Sequence, residues 1–579
     1  MRGDFILLVG AVCLLALGGC GDGSRENGGE PGIAGSTSAT AEPAAGATQD
    51  PVQEAARLIA DKRLDDAAAL LEETLEADPE NGPGWLLLAQ ARHGNADFEA
   101  ALEACARAEL IPAARGPALR ERFLIRVSQD DREAALADYA ALRAYPMIDF
   151  SSLHHAPQLA SLRDDPRFAA LFPSDFSQPF VEGDAVIHDW RGEAIGHELG
   201  WEARAIGDVD RDGVADAVVS APANQPGGGG AGKVYVYSGR SGALLWTAAG
   251  AAGDRLGTGI EGAGDVDGDG TPDVVAGAPG AGRAYVYDGA TGRVLLTLKA
   301  APDDGAAYAA HVSGAGDLDG DGRGDVVVGS ASSKQGAGRA YVHSGADGTI
   351  LRVLEGGAGD ALGSAVAGAS GAWGALLVVG APNAGLQRAG RVYVYDSLGG
   401  AEPAFVIESE PTARQLGGMF VSVVGDVDAD GMPDVYASDW MDAALGPVTG
   451  RVYVHSGRDG TRLLTLTGEG PGEGFGIGPA RAGDVDGDGH ADLVVGAWQH
   501  GGAAHSGGKV YVFSGKDGST LATYTGRIPG ETLGFDADGM GDVDGDGSAD
   551  FLLTSAWSLV NGVRSGRAMI VSGRRPGRS

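Results

Sequence analysis

Asp265–Asp273 reads DVDGDGTPD, and the same nine-residue pattern, D-x-D-x-D-G-x-x-D, recurs at Asp208–Asp216 (DVDRDGVAD), Asp317–Asp325 (DLDGDGRGD), Asp426–Asp434 (DVDADGMPD), Asp484–Asp492 (DVDGDGHAD) and Asp542–Asp550 (DVDGDGSAD). Carboxylates at positions 1, 3 and 5 converge when the chain coils around a hard cation. The glycine at position 6 permits the sharp bend, position 7 offers its carbonyl, and the last acid closes the shell. Calcium accepts such an irregular all-oxygen shell, whereas magnesium keeps its waters and octahedral order. The closing acid is an aspartate at position 9 instead of a glutamate at 12, and apolar strands flank each copy. The loop therefore belongs to a β-hairpin and not to a helical calcium hand. This assigns about six structural calcium ions to Asp208, Asp210, Asp212 and Asp216; Asp265, Asp267, Asp269 and Asp273; Asp317, Asp319, Asp321 and Asp325; Asp426, Asp428, Asp430 and Asp434; Asp484, Asp486, Asp488 and Asp492; and Asp542, Asp544, Asp546 and Asp550.

Outward from each loop the chain repeats itself. A strand such as DAVVSAP, DVVAGAP or DLVVGAW follows, then a glycine-bearing loop, a strand such as GKVYVYSG, GRAYVYDG or GRVYVHSG, a turn, and a strand such as ALLWTAAG. Ahead of the loops stand Leu199-Gly200, Leu256-Gly257, Leu362-Gly363, Leu416-Gly417, Phe475-Gly476 and Leu533-Gly534. Taken in order, these elements resemble the FG-GAP repeat of integrin α-subunit propellers over about residues 180–573. Counting them predicts an all-β propeller of seven blades over 180–575. The fourth blade keeps LGSAVAGAS, LLVVGAP and GRVYVYD but has SGAWG in place of the aspartates, so it should bind no calcium. In the third, Tyr308-Ala309 stands where Phe-Gly belongs.

The last repeat stops after its third strand, GRAMIVSG (Gly566 to Gly573). The segment 184–190 (DAVIHDW) aligns with ALLWTAA of the first blade, which places Trp190 near the position of Trp246. It is expected to supply the missing outer strand and close the ring, leaving no open sheet edge.

The resemblance implies that the calcium loops lie on one face, and that the loops between second and third strands lie on the opposite face, which carries ligand contacts in the family. Those loops are longest at Ser438–Gly450, Ala497–Gly508 and Ala556–Gly566, and they hold Trp440, Trp498, His500, His505 and Trp557. Exposed indoles on adjacent blades would make a stacking surface for protein or sugar; the alternative is that they pack between blades.

From 51 to 173 glycine thins out, and Ala, Leu, Glu and Arg recur at helical spacing. Ala67, Ala101 and Ala135 are 34 residues apart, with Leu71, Cys105 and Tyr139 four behind each. That period and the DPEN junction at Asp78–Asn81 resemble the tetratricopeptide repeat, a small all-α array of helical hairpins, and the resemblance implies a peptide partner for this segment. Phe123 departs from the pattern, occupying a small-residue position, and LRDDPRFAALF from Leu162 to Phe172 reads as a closing helix. Further upstream, Phe5–Leu17 is an apolar run too short to span a bilayer, ending in Leu17-Gly18-Gly19-Cys20. This resembles a bacterial lipobox: residues 1–20 form the signal, Cys20 becomes the lipidated N-terminus, and 21–50 is a polar tether.

The balance of 43 basic against 79 acidic residues, a formal net charge of −36, excludes a phosphate-backbone partner, which requires clustered Lys and Arg. Arg2-Gly3-Asp4 lies in the signal and Arg323-Gly324-Asp325 inside the third loop, so neither reads as an adhesion tripeptide. G-x-S-x-G, H-E-x-x-H and Walker motifs are absent. The expectation is a non-enzymatic, lipid-anchored binding or adhesion module of the bacterial cell envelope, displayed on the outer membrane or cell surface. Two alternatives stand beside it: a periplasm-facing scaffold working through the helical repeats, and a quinoprotein-like enzyme with its prosthetic quinone on the ring axis.

Overall fold

The computed structural model describes residues 50–142 and 176–573, apart from 113, 225–228, 300, 302–303, 305–307 and 401, together with 159, 162 and 165–169. The signal peptide, Cys20 and the tether up to residue 49 lie outside the described residues. The chain divides into two compact units near Phe168, one helical and one β.

The helical unit comprises α1 (Pro51–Ala60), α2 (Leu64–Ala77), α3 (Gly82–Gly94), α4 (Phe98–Glu109), α5 (Arg115–Ser128) and α6 (Arg132–Leu142). Polar N-caps start several of them: Asp50 accepts from Val52 N at 3.0 Å and Asn81 from Gly84 N at 2.8 Å. The 34-residue register places Ala67, Leu71, Ala101, Cys105, Ala135 and Tyr139 in the core, all buried. Phe123 is also buried and packs on Tyr139 with ring centroids 5.5 Å apart. Burial pushes the Cys105 thiol up to about 12, as expected of a packing residue and not a nucleophile. Of the closing helix, the described part is Pro166–Ala169.

The second unit is a seven-bladed propeller, each blade a four-stranded antiparallel sheet. The innermost strands are Ala203–Gly207, Ile260–Gly264, Tyr308–Gly316, Val366–Gly371, Val421–Val423, Phe475–Gly483 and Ala537–Gly541 for blades 1 to 7. Second strands such as Asp216–Ala221 and Asp492–Ala497 are buried along their whole length, because each blade packs against neighbours on both faces. The Leu-Gly pairs join blades: Leu256 bridges to Gly232, which opens the third strand of blade 1, and Leu199 bridges to Gly566 of blade 7. In blade 3 Tyr308 fills the Phe position, fully buried, and Ala309 takes the left-handed conformation (φ 63°) that glycine holds elsewhere.

Val186–Arg191 is the outer strand of blade 7, paired antiparallel to Arg567–Val571 with Trp190 opposite Ala568. Just upstream, Val181 N donates to Thr525 O at 2.9 Å, and Glu182 accepts from Thr525 N at 2.8 Å. The lead-in therefore clasps blade 6 before it completes blade 7. Trp190 and Trp246 play matching parts, each indole N–H reaching a carbonyl in the turn of the following blade, Gly242 and Gly289 respectively.

The ring axis is crossed by charge. Arg204 of blade 1 pairs with Asp536 of blade 7 and lies 3.3 Å from Glu261 of blade 2. Arg481 of blade 6 donates to Asp538 at 2.8 Å and reaches Glu261 at 3.1 Å. Beside this plug lies a polar cavity of about 40 Å³ lined by Glu202, His311, Ser313 and Ser422 among others.

Candidate metal centres and the opposite face

Each aspartate loop joins the first and second strands of its blade, so all six lie at the same end of the propeller. In blade 2, Asp265 Oδ1 accepts from Gly268 N (2.7 Å) and Asp269 N (3.1 Å), and Oδ2 from Gly270 N (2.9 Å). Asp267 accepts from Asp269 N and Asp269 from Thr271 N, which winds the chain into a tight coil with the carboxylates gathered on its inside. Asp208, Asp210 and Asp216 each offer an oxygen within 4.8 Å of the others; so do Asp265, Asp267 and Asp269, then Asp317, Asp319 and Asp325, and Asp426, Asp428 and Asp434. This all-carboxylate donor set fits a hard divalent cation.

The ninth position has a second duty. Asp216 is fully buried; its Oδ2 accepts from Val209 N at 2.8 Å and its Oδ1 from Gly239 N at 2.9 Å. The same Oδ1 bond runs from Asp273 to Gly289, Asp325 to Gly345, Asp434 to Gly457, Asp492 to Gly515 and Asp550 to Gly573. One carboxylate thus ties the loop to the end of the third strand. Burial, added to by repulsion from the acid at position 3, outweighs these bonds and pushes Asp216, Asp273, Asp434 and Asp550 up to about 6. A cation in the coil would relieve that penalty. Sequence reading passed over the glycine partners, although a glycine follows the third strand in each of the six blades with an aspartate loop. A Cβ on Gly239 would lie 1.9 Å from Ala215 O. In blade 4 the hairpin turns directly through Gly371 and Gly374, with no aspartate in the turn.

The opposite face decides between the two readings of its tryptophans, in favour of packing between blades. Trp440, Trp498 and Trp557 are 7%, 5% and 7% exposed and form an edge-to-face cluster, Trp498 lying 6.4 Å from Trp440 and 4.9 Å from Trp557, with Phe535 at 5.4 Å. The long loops fold these indoles inward between blades 5, 6 and 7, because apolar rings that close together bury more area in each other than against solvent. They therefore make no open stacking surface. His500 is also buried and meets Glu469 at 3.1 Å and Glu473 at 3.9 Å, not His505, which is half-buried beside Ser506. Gly502 N donates to His500 Nδ1 at 3.2 Å, which leaves the ring proton on Nε2 to donate to Glu469. His500 thus holds two loops together, and it, Glu469 and Glu473 each offer a ligand atom within 4.8 Å of the others. Burial raises the Glu469 carboxyl, but bonds from Lys509 and His500 outweigh it and hold the group at about 2. The Lys509–Glu469 pair (2.6 Å) has a counterpart in Lys233–Glu193 (2.7 Å) of blade 1, a link between blades that the sequence reading did not single out.

Comparison with known proteins agrees with this architecture. A model of FG-GAP-like repeats matches residues 265–328 and 426–495, one of FG-GAP repeats matches 201–237 and 480–513, and a tetratricopeptide repeat model matches 58–119. Integrin alpha-4 of Xenopus laevis is 27% identical over 188 residues, covering 30% of this chain and 17% of that protein, so the chain spans less than a fifth of that relative. Among solved structures, the crystal structure of BamB from Moraxella catarrhalis aligns over 64% of this chain and 85% of its own, at 14% identity and a TM-score of 0.33. The chain carries FG-GAP repeats folded as a seven-bladed, integrin alpha-like propeller, preceded by a tetratricopeptide repeat segment.

Proposed function

We propose that this chain is an exported, lipid-anchored propeller of the cell envelope, stabilised by calcium in its six aspartate loops, that serves as a non-enzymatic surface binding or adhesion module for a protein or glycan ligand. The observation that carries the reading is the placement of all six acidic coils at one end of integrin alpha-like FG-GAP blades. That arrangement leaves the other end free for a ligand. There, Leu386 and Leu445, in the second-to-third-strand loops of neighbouring blades 4 and 5, are 77% and 57% exposed. They replace the buried indoles as contact residues. The axis supports this reading over a quinone-dependent one, because the charged side chains of Arg204, Glu261 and Arg481 from blades 1, 2 and 6 meet where a prosthetic quinone would sit.

The test is binding of the mature chain to glycan and extracellular-matrix protein arrays, with calcium and with chelator. A calcium-dependent ligand whose binding weakens at least about tenfold in Leu386→Ser/Leu445→Ser supports the reading. No ligand on either array, or one indifferent to both calcium and the substitutions, sinks it. Metabolic labelling with a lipid analogue, lost in Cys20→Ala, tests the anchor.

A further inference from the structure

Neighbouring aspartate loops are bonded to one another, and in two pairs by the same two bonds. Between blades 2 and 3, Gly324 N donates to Asp265 O at 2.8 Å and Arg323 Nη1 to Val266 O at 2.8 Å. Between blades 5 and 6, Ala491 N donates to Asp426 O at 2.8 Å and His490 Nδ1 to Val427 O at 2.8 Å. In each pair, position 8 of one loop holds the carbonyl of position 1 in its neighbour, and the position 7 side chain holds the carbonyl of position 2. Positions 7 and 8 directly precede the closing ligand, Asp325 or Asp492, while positions 1 and 2 carry the opening ligand of the adjoining coil. Loops 1 and 2 cannot make both bonds. Loop 2 has Pro272 at position 8, which lacks an N–H, and loop 1 has Val214 at position 7, which has no side-chain donor. Loops 1 and 2 are joined instead by Arg211, whose Nη2 reaches Thr271 Oγ1 at 2.7 Å.

We propose that calcium binds cooperatively within the pairs 2–3 and 5–6, with Arg323 and His490 as the side chains that transmit the coupling. The inference rests on the calcium reading above. An ion in loop 6 fixes the peptides at His490 and Ala491, and these hold the Asp426–Val427 backbone in the conformation that presents Asp426. The second ion then has less to order, so its affinity rises, and by linkage the effect is mutual. Direct electrostatics acts in the opposite sense, since an ion in one loop reduces the negative potential at the next. That term is screened by salt, whereas the bonded term is not.

The test is amide hydrogen exchange of the full chain, titrated with calcium at ~0.5 M salt, with the midpoint of protection read separately for each loop. Asp486→Asn/Asp488→Asn, which disables loop 6, should raise the midpoint of loop 5 about fivefold and leave loop 2 unmoved. His490→Ala/Ala491→Pro keeps every carboxylate and removes only the two bonds, and should weaken loop 5 likewise. Proline is accommodated at this position in loops 2 and 5. A loop 5 midpoint within about twofold of the unaltered chain in both variants overturns the coupling. If no loop gains protection with calcium in the unaltered chain, the calcium reading itself falls and the coupling with it.

Discussion

Arg567, on the third strand of the last blade and 1% exposed, donates from Nε to Asp189 Oδ1 at 2.7 Å, joining residues 378 positions apart. Its Nη1 also contacts buried Glu531 at 3.3 Å. The pair sits where the two ends of the propeller meet, Asp189 lying on the closing strand. Although burial raises it, bonds from Arg567 and Arg191 hold the Asp189 carboxyl below its ordinary value. Arg567→Met should take the shared cation away from Asp189 and buried Glu531, lowering stability by about 3–5 kcal/mol. Chemical denaturation measures this directly. Deletion of residues 180–192 should do more, exposing both the third strand of blade 7 and the edge of blade 6. A deletion that melts at the unaltered temperature would show that the ring does not depend on this closure.

Removal of calcium should separate two classes of aspartate. At the affinity usual for extracellular modules, ~10⁻⁴–10⁻³ M, each loop in ~10 mM calcium gains about 1.4–2.7 kcal/mol, so chelation should lower the melting temperature by several degrees. Asp210→Ala should lower it only when calcium is present. Asp216→Ala should lower it in chelator as well, because Val209 N and Gly239 N lose their buried acceptor, at about 1–3 kcal/mol each. Identical melts of Asp216→Ala and the unaltered protein in chelator would refute the second duty assigned to position 9.

Trp498→Ala distinguishes a packing indole from a ligand platform. It removes the ring at the centre of the Trp440–Trp557–Phe535 cluster, and should destabilise by about 3–5 kcal/mol without changing ligand affinity per folded molecule. Lost affinity at unchanged stability is the contrary result.

Glu202, fully buried beside the axis, accepts from Ile260 N at 2.8 Å and faces Arg204, Asp536 and Glu261. Burial pushes it up to about 8, with Arg204 opposing and Asp536 adding repulsion. The folded form therefore carries a proton that the unfolded chain releases near pH ~4.3. The contribution of Glu202 to stability is greatest below the unfolded value, falls as pH rises between the two, by up to about 1.4 kcal/mol per unit, and levels off above the folded value. Glu202→Gln should be flatter than the unaltered protein in urea unfolding between pH 5 and 8. Parallel pH profiles would count against a protonated Glu202.

The repeats were legible because their information is local. D-x-D-x-D-G-x-x-D coils on itself through bonds spanning a few residues, as in Asp265 to Gly270, so the motif alone specifies its turn and its ligands. Strand alternation and the Leu-Gly pairs likewise repeat with the blade, and the helical register that buries Ala67, Ala101 and Ala135 is carried by spacing. Blade 4 could be read as lacking the acids for the same reason.

What the sequence could not decide depended on which residues meet from different blades. The tryptophans on the long loops have the same composition whether they face solvent or one another; only the approach of three loops buries Trp498 against Trp557 and Phe535. Glu261 and Arg481 lie 220 positions apart and meet because the ring brings blades 2 and 6 to one axis. The partners of Arg323 and His490 are peptide carbonyls, which no side-chain pattern marks. The sequence by itself therefore determined the blades, their aspartate coils and the blade that lacks one. The tertiary structure alone decided that the loop tryptophans are buried, how the axis is filled and which loops are joined, because those outcomes depend on distances set by closing the ring and not on neighbours along the chain.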